Sequence, residues 1–243
     1  MITLNEVKSR CARENSTTND QLHFFASKFH FFFSWIFLNL GLSANGVTLV
    51  FFITGLFSSL FYSFGGMYVL IGYMLWRLHI IFDLCDGDVA RYNQTFSING
   101  AYWDYMIHAV LYPLVFIGIS IASYNKFDDV TFLFIGLFGS LAASLTLAVK
   151  NNYYRAMLFD GQKLDKAKGK LKVGSGVSFQ IKRVIHSILS FEGFLFVQSA
   201  MLIFDEKGDL SLICIVFYIL VMLMITAVKL YSFSKQGFYS KRS

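Results

Sequence analysis

The stretch FDLCDGDVARYNQTFSINGAYWDYMIH, Phe82 to His108, sets four aspartates beside strongly apolar sequence and ends in a histidine. Its flanks decide the fold class. The chain has 243 residues, of which 56% are hydrophobic and 15% charged. Soluble domains run at about 45–50% apolar and about 25% charged. With 28 Phe, a single Pro and a mean hydropathy of +0.55, the composition excludes an ordinary soluble enzyme. It predicts an all-α integral membrane protein built as one domain.

A helix needs about 20 mostly apolar residues to cross a bilayer. Six runs meet that requirement: Val47–Phe64, Met67–Leu84, Ala101–Ser123, Val130–Val149, Ile185–Phe204 and Leu210–Tyr231. A seventh apolar stretch, His23–Leu42, is interrupted by Lys28 and His30 and is dense in Phe and Trp. It reads as an amphipathic helix lying in the interface. The expected organisation is a cytosolic segment (1–22), an interfacial helix (23–42), a six-helix core (47–231) and a cytosolic tail (232–243).

Basic residues set the orientation. The polar first twenty residues lack the apolar core of a signal peptide, so the N-terminus is expected to stay in the cytosol. Six spans then place 17 Lys and Arg inside and only Lys126 and Lys207 outside, with Arg77 and Lys229 within spans. Much of the net charge of +6 comes from the loop Lys150–Arg183. Two readings suit that loop: an anchor against anionic lipid, or a cationic surface for a phosphate-bearing substrate. No soluble nucleic-acid module accompanies the charge, which excludes a nucleic-acid partner. The three cysteines, Cys11, Cys85 and Cys214, are odd in number and widely spaced, and read as free thiols.

Within the quoted stretch, Asp83, Asp86 and Ala90 share one helical face, and Gly100, Asp104 and His108 share another. Two antiparallel neighbouring helices can turn these faces toward each other at the cytosolic boundary. Converging carboxylates repel unless a cation lies between them, and hard oxygen donors suit Mg²⁺, Mn²⁺ or Ca²⁺. Gly87 and Gly100 leave room for a ligand or a helix backbone, and Ala90 is nearly as small. Arg91 offers a planar fork for phosphate oxygens. Together these features point to phosphoryl transfer. A polar hairpin holding several aspartates without a metal is the competing reading. Arg77 and Glu192, both within expected spans, read as residues that need structural partners.

The stretch resembles the signature of the CDP-alcohol phosphotransferase family, D-x2-D-G-x2-A-R-x8-G-x3-D-x3-D. Asp83, Asp86, Gly87, Ala90, Arg91, Gly100 and Asp104 match in type and spacing, and His108 stands where the last aspartate is expected. LSANGVTLV, Leu42–Val50, is similar to the family's T-P-N-x-x-T opening, with Ala44 in place of proline.

The resemblance implies a six-helix membrane enzyme, commonly a homodimer, with its site open to the cytosolic leaflet of what is expected to be a bacterial inner membrane. Such an enzyme moves a substituted phosphate from a CDP-linked donor to an alcohol acceptor and releases CMP, in phospholipid or glycoconjugate synthesis. Asp83, Asp86 and Asp104 would then be ligands to Mg²⁺ or Mn²⁺, with two ions expected. Gly87, Ala90 and Gly100 would border the CDP moiety, and Arg91 would pair with phosphate. The general-base role falls to His108, which also suits metal ligation. The departure at His108 opens an alternative: an impaired member that acts as a non-enzymatic ion- or ligand-binding or transport protein.

Overall fold

The computed structural model describes residues 2–11, 21–95, 97–159 and 188–239. Among these residues there are eight helices and no strand: α1 (Leu4–Cys11), α2 (Gln21–Asn39), α3 (Ala44–Phe64), α4 (Tyr68–Asn93), α5 (Ile98–Phe127), α6 (Thr131–Phe159), α7 (Phe191–Phe204) and α8 (Asp209–Tyr239). Five of them, α3, α4, α5, α6 and α8, are long and apolar enough to cross a membrane. The chain is thus a multi-pass membrane protein. A helix is the natural choice there, because it satisfies its backbone polar groups within one segment.

Four of the expected spans fall on α3, α5, α6 and α8, although α6 and α8 continue past Val149 and Tyr231 to Phe159 and Tyr239. The second runs further than expected. Its apolar run ends at Leu84, but α4 continues to Asn93 and carries the first half of the acidic stretch in helical form. It stops at Gln94, which adopts a left-handed conformation (φ 54°) while the Thr95 amide bonds the Ala90 carbonyl at 2.9 Å. After a short turn, Ser97 caps α5 by accepting from the Gly100 amide at 2.9 Å. The expected fifth span differs most. The described helix there, α7, has 14 residues, short of a full crossing. Ile185 to Ser187 lie outside the described residues, as does the basic loop from 160 onward.

The packing is organised around α3, which lies against both α4 and α5. Gly72 of α4 permits a close approach: a Cβ there would sit 3.0 Å from the Tyr62 amide nitrogen and 3.1 Å from the Ser58 carbonyl. Ser58 Oγ donates to the Gly72 carbonyl at 2.7 Å across this contact. Small residues give this kind of packing in membranes, where apolar side chains gain little by leaving lipid. The core is aromatic, with Phe51, Tyr62, Trp76 and Phe116 fully buried. On the far side, α2 lies along α4, with Phe33 and Phe37 edge-on to Phe82 at 5.3 and 5.2 Å between centroids. α1 is tied to α2 and α4, through Trp35 Nε1 to the Ile2 carbonyl (2.8 Å) and Tyr92 Oη to Glu6 (2.8 Å). The three cysteines are free thiols. The up-and-down path brings the start of α3, the end of α4 and the start of α5 to one end of the bundle.

Candidate metal and phosphate site

The two predicted helical faces do meet at that end. Asp83 from α4 and Asp104 and His108 from α5 form one cluster, with a ligand atom from each within 4.8 Å of the others. His108 Nε2 lies 3.4 Å from Asp83 Oδ1 and 3.1 Å from Asp104 Oδ1. The ring is held by aromatic walls. It stacks on Phe51 at 6.2 Å and meets the rings of His79 and Tyr112 edge-on, each at 5.7 Å between centroids. These walls aim Nε2 at the carboxylates.

Asp86 is turned to the adjoining side. Its Oδ2 accepts from Thr48 Oγ1 at 3.1 Å. It borders a cleft of about 180 Å³ that is also lined by Asn45, Gly87, Ala90, Gly100 and Asp104. Five of the eight sequence-predicted site residues therefore surround one small polar cleft, and the other two carboxylate-cluster members, Asp83 and His108, lie beside it. The cleft shares Asn45 and Thr48 with an open groove of about 490 Å³, which is lined mostly by apolar side chains such as Leu49, Phe52, Trp103 and Val110.

A divalent cation suits this donor set. The cluster offers two carboxylates and one imidazole, and Asp104 Oδ1 is buried with His108 Nε2 at 3.1 Å but no aligned hydrogen bond. Buried polar atoms left unpaired are uncommon and call for a ligand. Oxygen donors with one nitrogen fit Mn²⁺ as well as Mg²⁺.

Arg91 is placed differently. It does not line the cleft, and its guanidinium donates to Asp88 Oδ1 at 2.5 Å. Asp88 stands at a variable position of the signature, which gives sequence reasoning no cause to select it. It is fully buried and also accepts from His30 Nδ1 (2.5 Å) and Ser34 Oγ (2.9 Å) of α2. The only sequence signal for the pair is the i, i+3 spacing of Asp88 and Arg91.

Deeper in the bundle, Glu192 accepts from Arg77 at 2.6 Å and from Trp76 Nε1 at 2.9 Å. This is the structural pairing expected of both residues. Thr48 and Asn45 also belong to the site, and the signal for them was the similarity of Leu42–Val50 to the family's opening motif.

No family model and no curated protein matches the chain.

Proposed function

We propose that this protein is a membrane phosphotransferase of the CDP-alcohol type, with six spans, an interfacial α2 and a site at the cytosolic leaflet. One observation carries the reading. Two separate stretches that resemble the family, around Asn45–Thr48 and Asp83–His108, converge on a single cleft, where Thr48 bonds Asp86 at 3.1 Å. The proposed multi-pass enzyme works as a homodimer in a bacterial inner membrane. It takes a CDP-linked donor and an alcohol acceptor, and the apolar groove beside the cleft favours a lipid for one of the two.

In this reading Asp83 and Asp104 would hold one Mg²⁺ or Mn²⁺ ion, with His108 beside it and Asp86 available to a second. When bound, such ions neutralise charge developing on the transferring phosphate. The chain's own residues do the rest. Gly87, Ala90 and Gly100 keep the cleft open for the CDP moiety, and Arg91, which follows Ala90 in α4 but is held by Asp88 outside the lining, would reach a phosphate oxygen with its remaining donors. The acceptor oxygen forms a bond to the phosphorus of the transferred group as the phosphoanhydride bond to CMP breaks. CMP leaves with the bonding electrons, and the hydroxyl proton passes to a ring nitrogen of His108 as general base.

The geometry also favours a second reading. A protonated His108 between Asp83 and Asp104 bridges both and offsets one of their two charges without a metal, as suits a non-enzymatic ion- or ligand-binding or transport protein. The test is CMP release by purified protein from a panel of CDP-alcohols with Mg²⁺ or Mn²⁺. The proposal expects release that Asp83→Asn and Asp104→Asn each abolish. Activity that survives both substitutions overturns the proposed site, and no release from any donor favours the second reading.

A further inference from the structure

Asp88 is a fully buried carboxylate whose two oxygens have different partners. Oδ2 lies 2.5 Å from His30 Nδ1 and 2.9 Å from Ser34 Oγ, whose one proton is shared with the His30 carbonyl at 2.8 Å. Oδ1 takes Arg91 at 2.5 Å. The α2 side is itself tied down, since Cys85 Sγ of α4 donates to the His30 carbonyl at 3.2 Å. The carboxylate is thereby fixed on one edge by α2 and presents its other edge to Arg91.

This network is not the only contact that holds α2 on α4. Phe33, Phe37 and Phe82 already provide an apolar contact, and a buried ion pair adds little to stability compared with well-packed apolar residues of similar volume. What it adds is direction, because a guanidinium is a planar fork whose orientation is set by the acceptor it meets. Arg91 has one further feature: its Nε is buried and has no hydrogen-bond partner. Asp88 occupies one amino group of the fork, and the described residues supply no acceptor for Nε.

We infer that Asp88 is a positioning residue that aims Arg91 at a phosphate-bearing ligand, and that α2 is the brace holding Asp88 in register through His30 and Ser34. The inference rests on the phosphotransferase reading for the identity of the ligand. It extends that reading by assigning roles to Asp88, His30 and Ser34, none of which is a fixed position of the signature. The N-terminal helices thereby become part of the ligand site.

The test measures CDP affinity by titration calorimetry on the purified full chain in Mn²⁺, alongside melting temperature. Asp88→Asn is expected to weaken CDP binding about tenfold or more, the scale of a lost charge-assisted hydrogen bond. Arg91→Lys is expected to do the same. The double variant is expected to bind no more weakly than Arg91→Lys alone, because both substitutions remove one device. Ser34→Ala leaves Asp88 and Arg91 intact and gives a smaller loss in the same direction. It decides the matter if Asp88→Asn does not fold.

Unchanged CDP affinity in folded Asp88→Asn, or in Ser34→Ala should Asp88→Asn fail to fold, overturns the inference and leaves the phosphotransferase reading standing. Fully additive losses in the double variant also overturn it. A wild-type protein that does not bind CDP overturns both.

Discussion

Thr48 Oγ1 lies 3.1 Å from Asp86 Oδ2, across 38 residues of sequence, and 3.0 Å from the Ala44 carbonyl of its own helix. A hydroxyl has one proton, so it serves these two acceptors by sharing or by turns. That gives Asp86 a supporting donor whose loss is cheap. If a ligand draws the carboxylate away, the Thr48 proton falls back on the Ala44 carbonyl and no polar group is stranded. The start of α3 is thus coupled to the carboxylates of α4 through a bond that can be exchanged.

Thr48→Val keeps the shape of the side chain and removes the donor. On the phosphotransferase reading, the expected outcome is a folded protein with Mn²⁺-dependent CMP release lowered about 10- to 100-fold, the usual effect of losing a partner that orients a metal-binding group. Thr48→Ser is expected to retain most activity. Parallel rate measurements on the two variants check this, and equal losses in both would attribute the effect to packing.

His108 carries a different expectation. Its Nε2 faces Asp83 and Asp104, while Phe51, His79 and Tyr112 fix the ring. If it takes the acceptor proton, His108→Ala lowers kcat by roughly 10²- to 10⁴-fold and changes Mn²⁺ affinity less. His108→Asp, which restores the signature residue, is expected to keep part of the activity. Single-turnover rates and Mn²⁺ titration on the same preparations separate the two effects. A fully active alanine variant would show the ring to be a packing residue.

The membrane-crossing helices were legible because length and apolarity are local properties. Helical periodicity carried α4 past Leu84 to Ala90, but did not show what holds it there. Charged residues end the apolar run, but they stay helical because their partners come from elsewhere: Thr48 of α3 for Asp86, and His30 and Ser34 of α2 for Asp88. Arg77 and Glu192 show the same limit. Each was legible as a residue in need of a partner, yet the match spans 115 residues of sequence and only folding reveals it. The carboxylate faces were legible from helical periodicity. Arg91 was selected by type as suited to phosphate, and what the structure adds is its attachment to Asp88, which depends on the α2 contact and was not legible.

Asp205, in the turn between α7 and α8, supplies a pH-dependent element outside the spans. Burial alone would raise its pKa, but the amides of Ser211, Gly208 and Lys207, donating at 2.9, 3.1 and 3.2 Å, outweigh that and hold the carboxyl below the ordinary carboxylate range. A depressed folded-state pKa means that the stabilisation is complete above the ordinary value and is lost as pH falls through the lowered one. Amide exchange at Gly208 and Ser211 is therefore expected to stay slow through neutrality and to accelerate, beyond its intrinsic pH trend, only at strongly acidic pH. Asp205→Asn is expected to flatten that excess. An unchanged exchange profile in the variant would remove Asp205 as the cause.

The groove beside the cleft bears on substrate choice. It is lined by Leu49, Phe52, Trp103 and Val110, and it joins the polar cleft at Asn45 and Thr48. One molecule with a phosphate head and an apolar chain can occupy both. A chain moving there from lipid gains no hydrophobic transfer energy, because the bilayer is already apolar. Its contribution is to orient the head in the cleft, so the groove should act on kcat/KM more than on partition into the membrane. Val110→Trp overfills the groove. Overpacking costs about 1–3 kcal/mol, so kcat/KM for a long-chain lipid substrate is expected to fall about tenfold while a short-chain analogue is little affected. Steady-state kinetics with matched long- and short-chain substrates in detergent make the comparison. Equal losses for both would place the chain elsewhere on the protein and leave the groove to bulk lipid.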